Sequence, residues 1–175
     1  SKADIVYEML VEGDATRFLA IFQSNIPETI GPVRSARDYF IQLADGYDAL
    51  YIAHGYSPEA HQMLKSGVVD HINGMQYDGI YFNRSANRKA PHNSYITAKN
   101  IALATQKLNI SLENDKNVAY TFYTDEDSVK MGNKANKIYM NYFSQNSSYS
   151  SIYRYDKKKK KYYKSSPQRN TVDEL

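Results

Sequence analysis

The hydrophobic period of this chain changes near residues 113–117, and that change limits the possible folds more than any other feature. Up to residue 112, short apolar runs alternate with segments whose apolar residues return at helical spacing, the pattern of sheets covered by helices. Beyond residue 117 the period falls to two and tyrosine dominates, as in VAYTFYT (118–124), KIYMNYF (137–143) and SIYRYD (151–156), which read as strands. Charge shifts at the same place. Residues 1–112 carry ten Lys or Arg against eleven Asp or Glu, a balance of −1, whereas residues 113–175 carry twelve against eight, a balance of +4. The expected organisation is an α/β or α+β domain over 1–112, with a mixed sheet and flanking helices, followed by a smaller Tyr/Lys-rich β segment over 113–175.

Within the first part, IVYEMLV (5–11) and RFLAIF (17–22) read as a hairpin turned at Gly13-Asp14 and buried on both faces. Residues 24–33 read as loop. A helix follows over Ala36–Ala44, with Ser35 as its cap, Asp38 at the capping-box position and Gly46 ending it. ALYIA (49–53) reads as a strand, and Ser57-Pro58 opens a short helix that stops near Gly67. Residues 68–79 read as irregular, 80–82 as a short strand, 83–93 as polar loop and 95–108 as a helix. In the second part, 151–164 reads as a hairpin with the lysine run 157–161 at its tip.

Several chemistries are excluded. With no cysteine there is no disulfide, thiolate or Cys–zinc site. A net charge of +3 on 175 residues is not that of a polycation, so no nucleic-acid partner is expected. No apolar run reaches the roughly 18 residues of a membrane span. No P-loop or nucleophile-elbow motif is present, and the histidines and carboxylates lack metal-ligand spacing, so neither a metal nor a cofactor is expected. The opening Ser1-Lys2-Ala3-Asp4, which leads at once into a strand, reads as a cut inside a larger protein, and the same is expected at Leu175.

The candidate site rests on where the first 112 residues put their arginines and histidines. Arg17 opens a strand, Arg34 and Arg37 flank a helix start, His54 follows a strand, and Arg84, Arg88 and His92 fall in the 83–93 loop. Loops after strands and helix amino ends are where α/β folds place ligands. A helix amino end carries unpaired N–H groups and partial positive charge, and guanidinium adds forked donors that match phosphate or carboxylate oxygens. G-P-V-R-S-A-R (31–37) combines both. Each arginine also has a structural reading as an ion pair with Glu12, Asp38, Asp45 or Asp48. Glu12 suits a supporting role, Ser35 and Ser57 have ready roles as caps, and His61 and His71 read as structural or solvated. The lysine run reads as a solvated tip.

Separated blocks, ADIVYEMLVEGDATRFLAIFQS (3–24), IGPVRSARDYF (30–40), HGYSPEA (54–60) and RKAPHN (88–93), resemble in order the YerB-like family of bacterial lipoproteins, whose function is unsettled. YRYDKKKKKYYKS (153–165) is similar to the family's C-terminal β domain. Two departures stand out: Asp14 replaces the second glycine of the family's E-G-G-x-T-R, and Tyr56 replaces a glycine in H-G-G-S-P. The resemblance implies a membrane-anchored, extracytoplasmic envelope protein of a Gram-positive lineage, its lipid anchor outside this stretch. It adds Thr16, Pro91 and Asn93 to the motif residues. The resulting ligand-binding set is Arg17, Arg34, Ser35, Arg37, His54, Arg88, His92 and Asn93, supported by Glu12, Thr16 and Ser57. A binding module for a phosphate or acidic-sugar ligand, or for a cell-wall protein partner, is favoured. The alternatives are a hydrolase or phosphotransferase acting on phosphate esters in cell-wall assembly, and a structural scaffold.

Overall fold

The computed structural model describes residues 2–113, 120, 132–143 and 147–167. The chain falls into two compact units, Ser1–Asn25 with Thr121–Leu175, and Ile26–Tyr120. The architecture is mixed α+β with several small sheets.

In the first unit, β1 (Ile5–Val11) and β2 (Ala15–Ile21) form the expected antiparallel hairpin, with Glu8 opposite Phe18. Asp14 takes φ 52° at its turn, so an Asp does what the family's glycine does there. Burial on both faces is not found: Val6, Leu10 and Phe18 are each more than 40% exposed. β8 (Lys137–Met140), β9 (Ser151–Asp156) and β10 (Lys161–Ser165) make an antiparallel sheet in the order β10-β9-β8. The β9–β10 hairpin turns through the lysine run as expected, and Asp156 caps that turn by accepting from the Lys158 and Lys159 amides. The strand expected at 118–124 lies outside the described residues.

This unit is tied together by one carboxylate. Glu8 Oε1 accepts from Thr16 Oγ1 at 2.9 Å, while Oε2 accepts from Ser151 Oγ at 2.8 Å, Tyr142 OH at 3.1 Å and Lys164 Nζ at 3.0 Å. The donors come from β2, β9, β10 and the segment after β8. The hairpin expected to belong with the α/β residues is thereby bonded to the tyrosine-rich strands, because a buried carboxylate must find charged or hydroxyl partners wherever the fold supplies them.

The second unit builds its core from Val33, Ile72, Phe82, Ile96, Ile101 and Ala104. Two small sheets contribute. β3 (Thr29–Ile30), β7 (Ser94–Thr97) and β6 (Phe82–Arg84) pair antiparallel in the order β3-β7-β6. β4 (Tyr51–Ala53) and β5 (His71–Asn73) pair in parallel, joined through α2 (Pro58–Lys65), a compact β-α-β crossover. α1 (Asp38–Gly46) buries Phe40, Ile41 and Ala44, and α4 (Ala98–Leu108) buries Ile101, Ala104 and Thr105. α3 (Gly74–Tyr77) is a single turn after β5.

Ser57 caps α2 as expected, accepting from Ala60 N. Ser35 does not cap α1. The residue before that helix is Arg37, with no side-chain cap, and the Ser35 hydroxyl donates instead to His54 O. The reason is a parallel bridge between Ala36 and Tyr56: Ala36 N donates to Gly55 O and Ser57 N to Ala36 O. That bridge holds the backbone extended past Ser35, so α1 cannot begin before Asp38. Residues 68–79, expected to be irregular, contain β5 and α3. The last helix begins three residues later than expected because Ser94–Thr97 pairs with both neighbours as a strand, and Thr97 caps α4 by accepting from Asn100 N. The strand expected at 80–82 lies at 82–84.

Candidate functional site

The parallel strands β4 and β5 end side by side at Ala53 and Asn73, and the segment 34–36 lies along the residues that follow β4. Carboxyl ends of parallel strands are where such folds gather functional side chains. His54 N donates to Arg34 O, and Asn73 fastens the other side, its Oδ1 accepting from Gly55 N and Met75 N and its Nδ2 donating to Gly55 O. Gly55 sits at φ +94°, with Ser35 Oγ only 2.7 Å from where a Cβ would stand, so a side chain is excluded by backbone and by space. At Gly74 an added Cβ would lie 2.1 Å from His54 Nδ1. The glycine is what lets α3 start against the imidazole.

Two polar clusters result. In the first, His54 Nδ1 meets Ser94 Oγ at 2.7 Å and His54 Nε2 meets Arg84 Nη2 at 2.9 Å. Guanidinium can only donate, so Nε2 carries the lone pair and Nδ1 the hydrogen, which goes to Ser94. Arg84 also grips Asp78 through Nε and Nη2, the latter 2.8 Å from Oδ2, and gives Nη1 to Asn93 Oδ1 at 3.0 Å. Burial, and then the charge of Arg84, push the His54 imidazole below its ordinary pKa, against the opposing pull of Asp78. Although Asp78 Oδ2 is 3.8 Å from His54 Nε2, the pair is not an ion pair at neutral pH, because the ring is neutral. The Asp78 carboxyl is held below its ordinary value, chiefly by its hydrogen bonds from Arg84.

A depressed histidine has a definite sign in stability. The unfolded chain takes up a proton near pH 6.5 and the folded chain only at lower pH, so the contribution of His54 is fully present above pH 6.5 and is lost as pH falls through the folded value. The expected result is a thermal midpoint that drops between about pH 7 and about pH 5. His54→Gln should flatten that part of the profile. An unchanged slope in the variant would remove His54 as its source.

In the second cluster, Arg34 Nη1 hydrogen-bonds to Nδ1 of His92, from the loop between β6 and β7. Donation by the guanidinium leaves the His92 proton on Nε2. Burial, and then the neighbouring Arg37 charge, lower the Arg34 pKa from its ordinary value. Arg37 turns one nitrogen back to Ala36 O at 2.7 Å. Among the described residues Arg34 has no carboxylate partner.

Of the expected site residues, Arg34, Arg37 and His92 come together, and His54 and Asn93 meet through Arg84. Ser35 and Ser57 serve the backbone around His54. Arg88 is exposed in the His92 loop. Arg17 and Thr16 lie on β2, and Glu12 in the β1–β2 turn, all in the first unit. Arg84, noted in the 83–93 loop but left out of the ligand-binding set, organises the first cluster together with Asp78 and Ser94, which were not in that set either. Among the described residues no group of three or more His, Asp or Glu is placed to hold a metal ion.

Residues 1–111 match the family described as protein of unknown function (DUF3048), N-terminal domain. The chain belongs to this family. It is 43% identical over 173 residues to the Bacillus subtilis (strain 168) protein named "Putative lipoprotein YerB", covering 99% of this chain and 51% of that protein. The crystal structure of YerB from Bacillus subtilis superposes with a TM-score of 0.81 at 41% identity, over 96% of this chain and 55% of that one. The DUF3048 chain therefore spans about half the length of the relatives it matches. Among its described residues no helix is long and apolar enough to cross a membrane.

Proposed function

We propose that this DUF3048 chain is the extracytoplasmic part of a lipid-anchored envelope protein of a Gram-positive lineage, and that it binds an anionic ligand of the phosphate class at Arg34. The observation that carries this reading is a partly buried guanidinium that, among the described residues, has no carboxylate, beside a second arginine and hydrogen-bonded to His92. Burial and the neighbouring Arg37 charge both make the Arg34 charge costly, and an oxyanion at Arg34 would offset that cost. Arg34 is braced from behind by His92, which restricts the fork before the ligand arrives and lowers the entropic cost of binding.

The name of its relative supports an envelope location, and the ligand would then be a phosphate-bearing component of the envelope. A binding role fits better than hydrolysis. Of the two histidines at the site, His92 accepts from Arg34 through Nδ1, and His54 has both ring nitrogens committed, to Ser94 and Arg84, with Ser94 itself buried.

Titration calorimetry with inorganic phosphate and pyrophosphate at low salt tests the reading. Saturable binding is expected, and Arg34→Ala should weaken it by about 1.5–3 kcal/mol, the value of a charge-assisted hydrogen bond. Equal affinity in the variant would remove Arg34 as a ligand contact.

A further inference from the structure

The second unit carries a recess that shares no lining residue with the Arg34 cluster. It measures about 400 Å³ and is lined by Tyr56, His61, Leu64, Lys65, His71 and Gln76, with Asn73 also on its wall. That volume falls in the range of small-molecule sites, roughly 300–1,000 Å³. His61 and His71, which the sequence assigns to structural or solvated roles, both stand on it.

The lining has a specific composition. Tyr56 and His61 are stacked face to face, ring centroids 4.2 Å apart and planes 6° from parallel, so each ring covers one face of the other and keeps one outer face. Leu64 is buried beneath. His71 Nδ1 faces Val69 O at 3.3 Å, and because a carbonyl only accepts, the ring hydrogen is on Nδ1. Nε2 is therefore a lone-pair acceptor that makes no hydrogen bond among the described residues. The Gln76 amide and the Lys65 ammonium make no hydrogen bond or ion pair among the described residues. Asn73, by contrast, spends both its side-chain atoms on Gly55 and Met75. The recess thus offers an aromatic face, one cation, one amide that both donates and accepts, and one imidazole acceptor.

We propose that this recess binds a sugar acid, a pyranose ring bearing one carboxylate. An outer face of the stacked pair covers the C–H face of the ring. Hydroxyls donate to His71 Nε2 and bridge to the Gln76 amide. Lys65 pairs with the carboxylate. The single point charge, with no guanidinium fork, suits one carboxylate better than a phosphate dianion. Tyr56 is the residue at which this chain departs from the glycine of the family's H-G-G-S-P, so one ring of the stacked pair is supplied by that departure.

The test is titration calorimetry of the full chain with D-glucuronate, D-glucose and benzoate. Glucuronate should bind saturably, with glucose and benzoate each at least about tenfold weaker, since each lacks one of the two recognition elements. Lys65→Gln, a change at an exposed position, should cost about tenfold for glucuronate and leave glucose unaltered. Tyr56→Ala should weaken both sugars, with unchanged thermal unfolding showing that the unit is intact. Arg34→Ala should leave glucuronate binding as it is, which separates this site from the phosphate site. Absence of saturation, equal binding of glucose, tighter binding of benzoate, or full affinity in Lys65→Gln would overturn the proposal.

Discussion

Replacing Glu8 by alanine is expected to lower the stability of its unit by about 3–5 kcal/mol, the usual cost of removing one partner from a buried ion pair. The Glu8 side chain is 9% exposed and accepts four side-chain donors, from Thr16, Tyr142, Ser151 and Lys164. Ser151 is completely buried, so its hydroxyl would lose its acceptor with no water to replace it. Lys164 is 27% exposed and suffers less, because solvent screens its charge and its ammonium also lies 4.7 Å from the Phe18 ring centroid. Burial works against the Glu8 carboxylate, but the hydrogen bonds from Lys164, Ser151 and Thr16 and the Lys164 charge outweigh it and hold the pKa below the ordinary value. Burial, aided by the carboxylate's charge and hydrogen bond, pushes the Tyr142 phenol up to about 12.

The sign for Glu8 follows directly. Its stabilisation is complete above pH 4.5 and is lost as pH falls through the lower folded value. Urea unfolding followed by amide exchange in β9 and β10 measures the effect. Glu8→Gln keeps the shape but loses the charge, and should fall between wild type and alanine. A loss below about 1 kcal/mol in Glu8→Ala would mean that the cluster reports geometry without strength.

Phe82→Ala is expected to cost a similar amount, about 3–5 kcal/mol, through the lost transfer energy of the ring and the cavity it leaves. Phe82 is fully buried among Val33, Ile72, Ile96, Ile101 and Ala104, where the two small sheets meet α4. It also touches the site. Its ring stands edge-on to His54, centroids 5.4 Å apart and planes 70° from parallel. Removing it takes away the apolar wall that helps to depress the imidazole pKa, so the variant should also show a His54 titration closer to 6.5. The urea midpoint gives the first quantity and the histidine ring resonances give the second. Phe82→Leu should cost less than about 1.5 kcal/mol. If leucine and alanine were equally costly, the cavity argument would fail.

What the sequence makes legible here is what acts within a few residues. The turn at Gly13-Asp14, the cap at Ser57-Pro58 and the lysine-tipped hairpin all form where local chemistry places them. Ser35 shows the limit. Its spacing from Asp38 resembles a capping box, yet a bridge to Tyr56, twenty-one residues on from Ser35, holds that backbone extended. β5 and β7 were hidden for a related reason. Three- and four-residue strands carry too little periodicity to be read alone, and they become strands only when a neighbour accepts their hydrogen bonds.

The site divides in the same way. The motif blocks mark His54, Arg34, Arg37, His92 and Asn93, but not which of them meet. Arg34 finds His92 across 58 positions, and Arg84 joins His54 across 30. Glu8 finds Ser151 across 143. The sequence by itself determined a mixed helix-and-sheet class (α/β or α+β), the two hairpins, the capped α2 and the family, because those follow from side-chain period, turn chemistry and motif order. Only the tertiary structure decided which carboxylate neutralises which cation and which guanidinium has none among the described residues. Such pairings depend on distances between residues far apart in the chain, and those distances exist only once the core has closed.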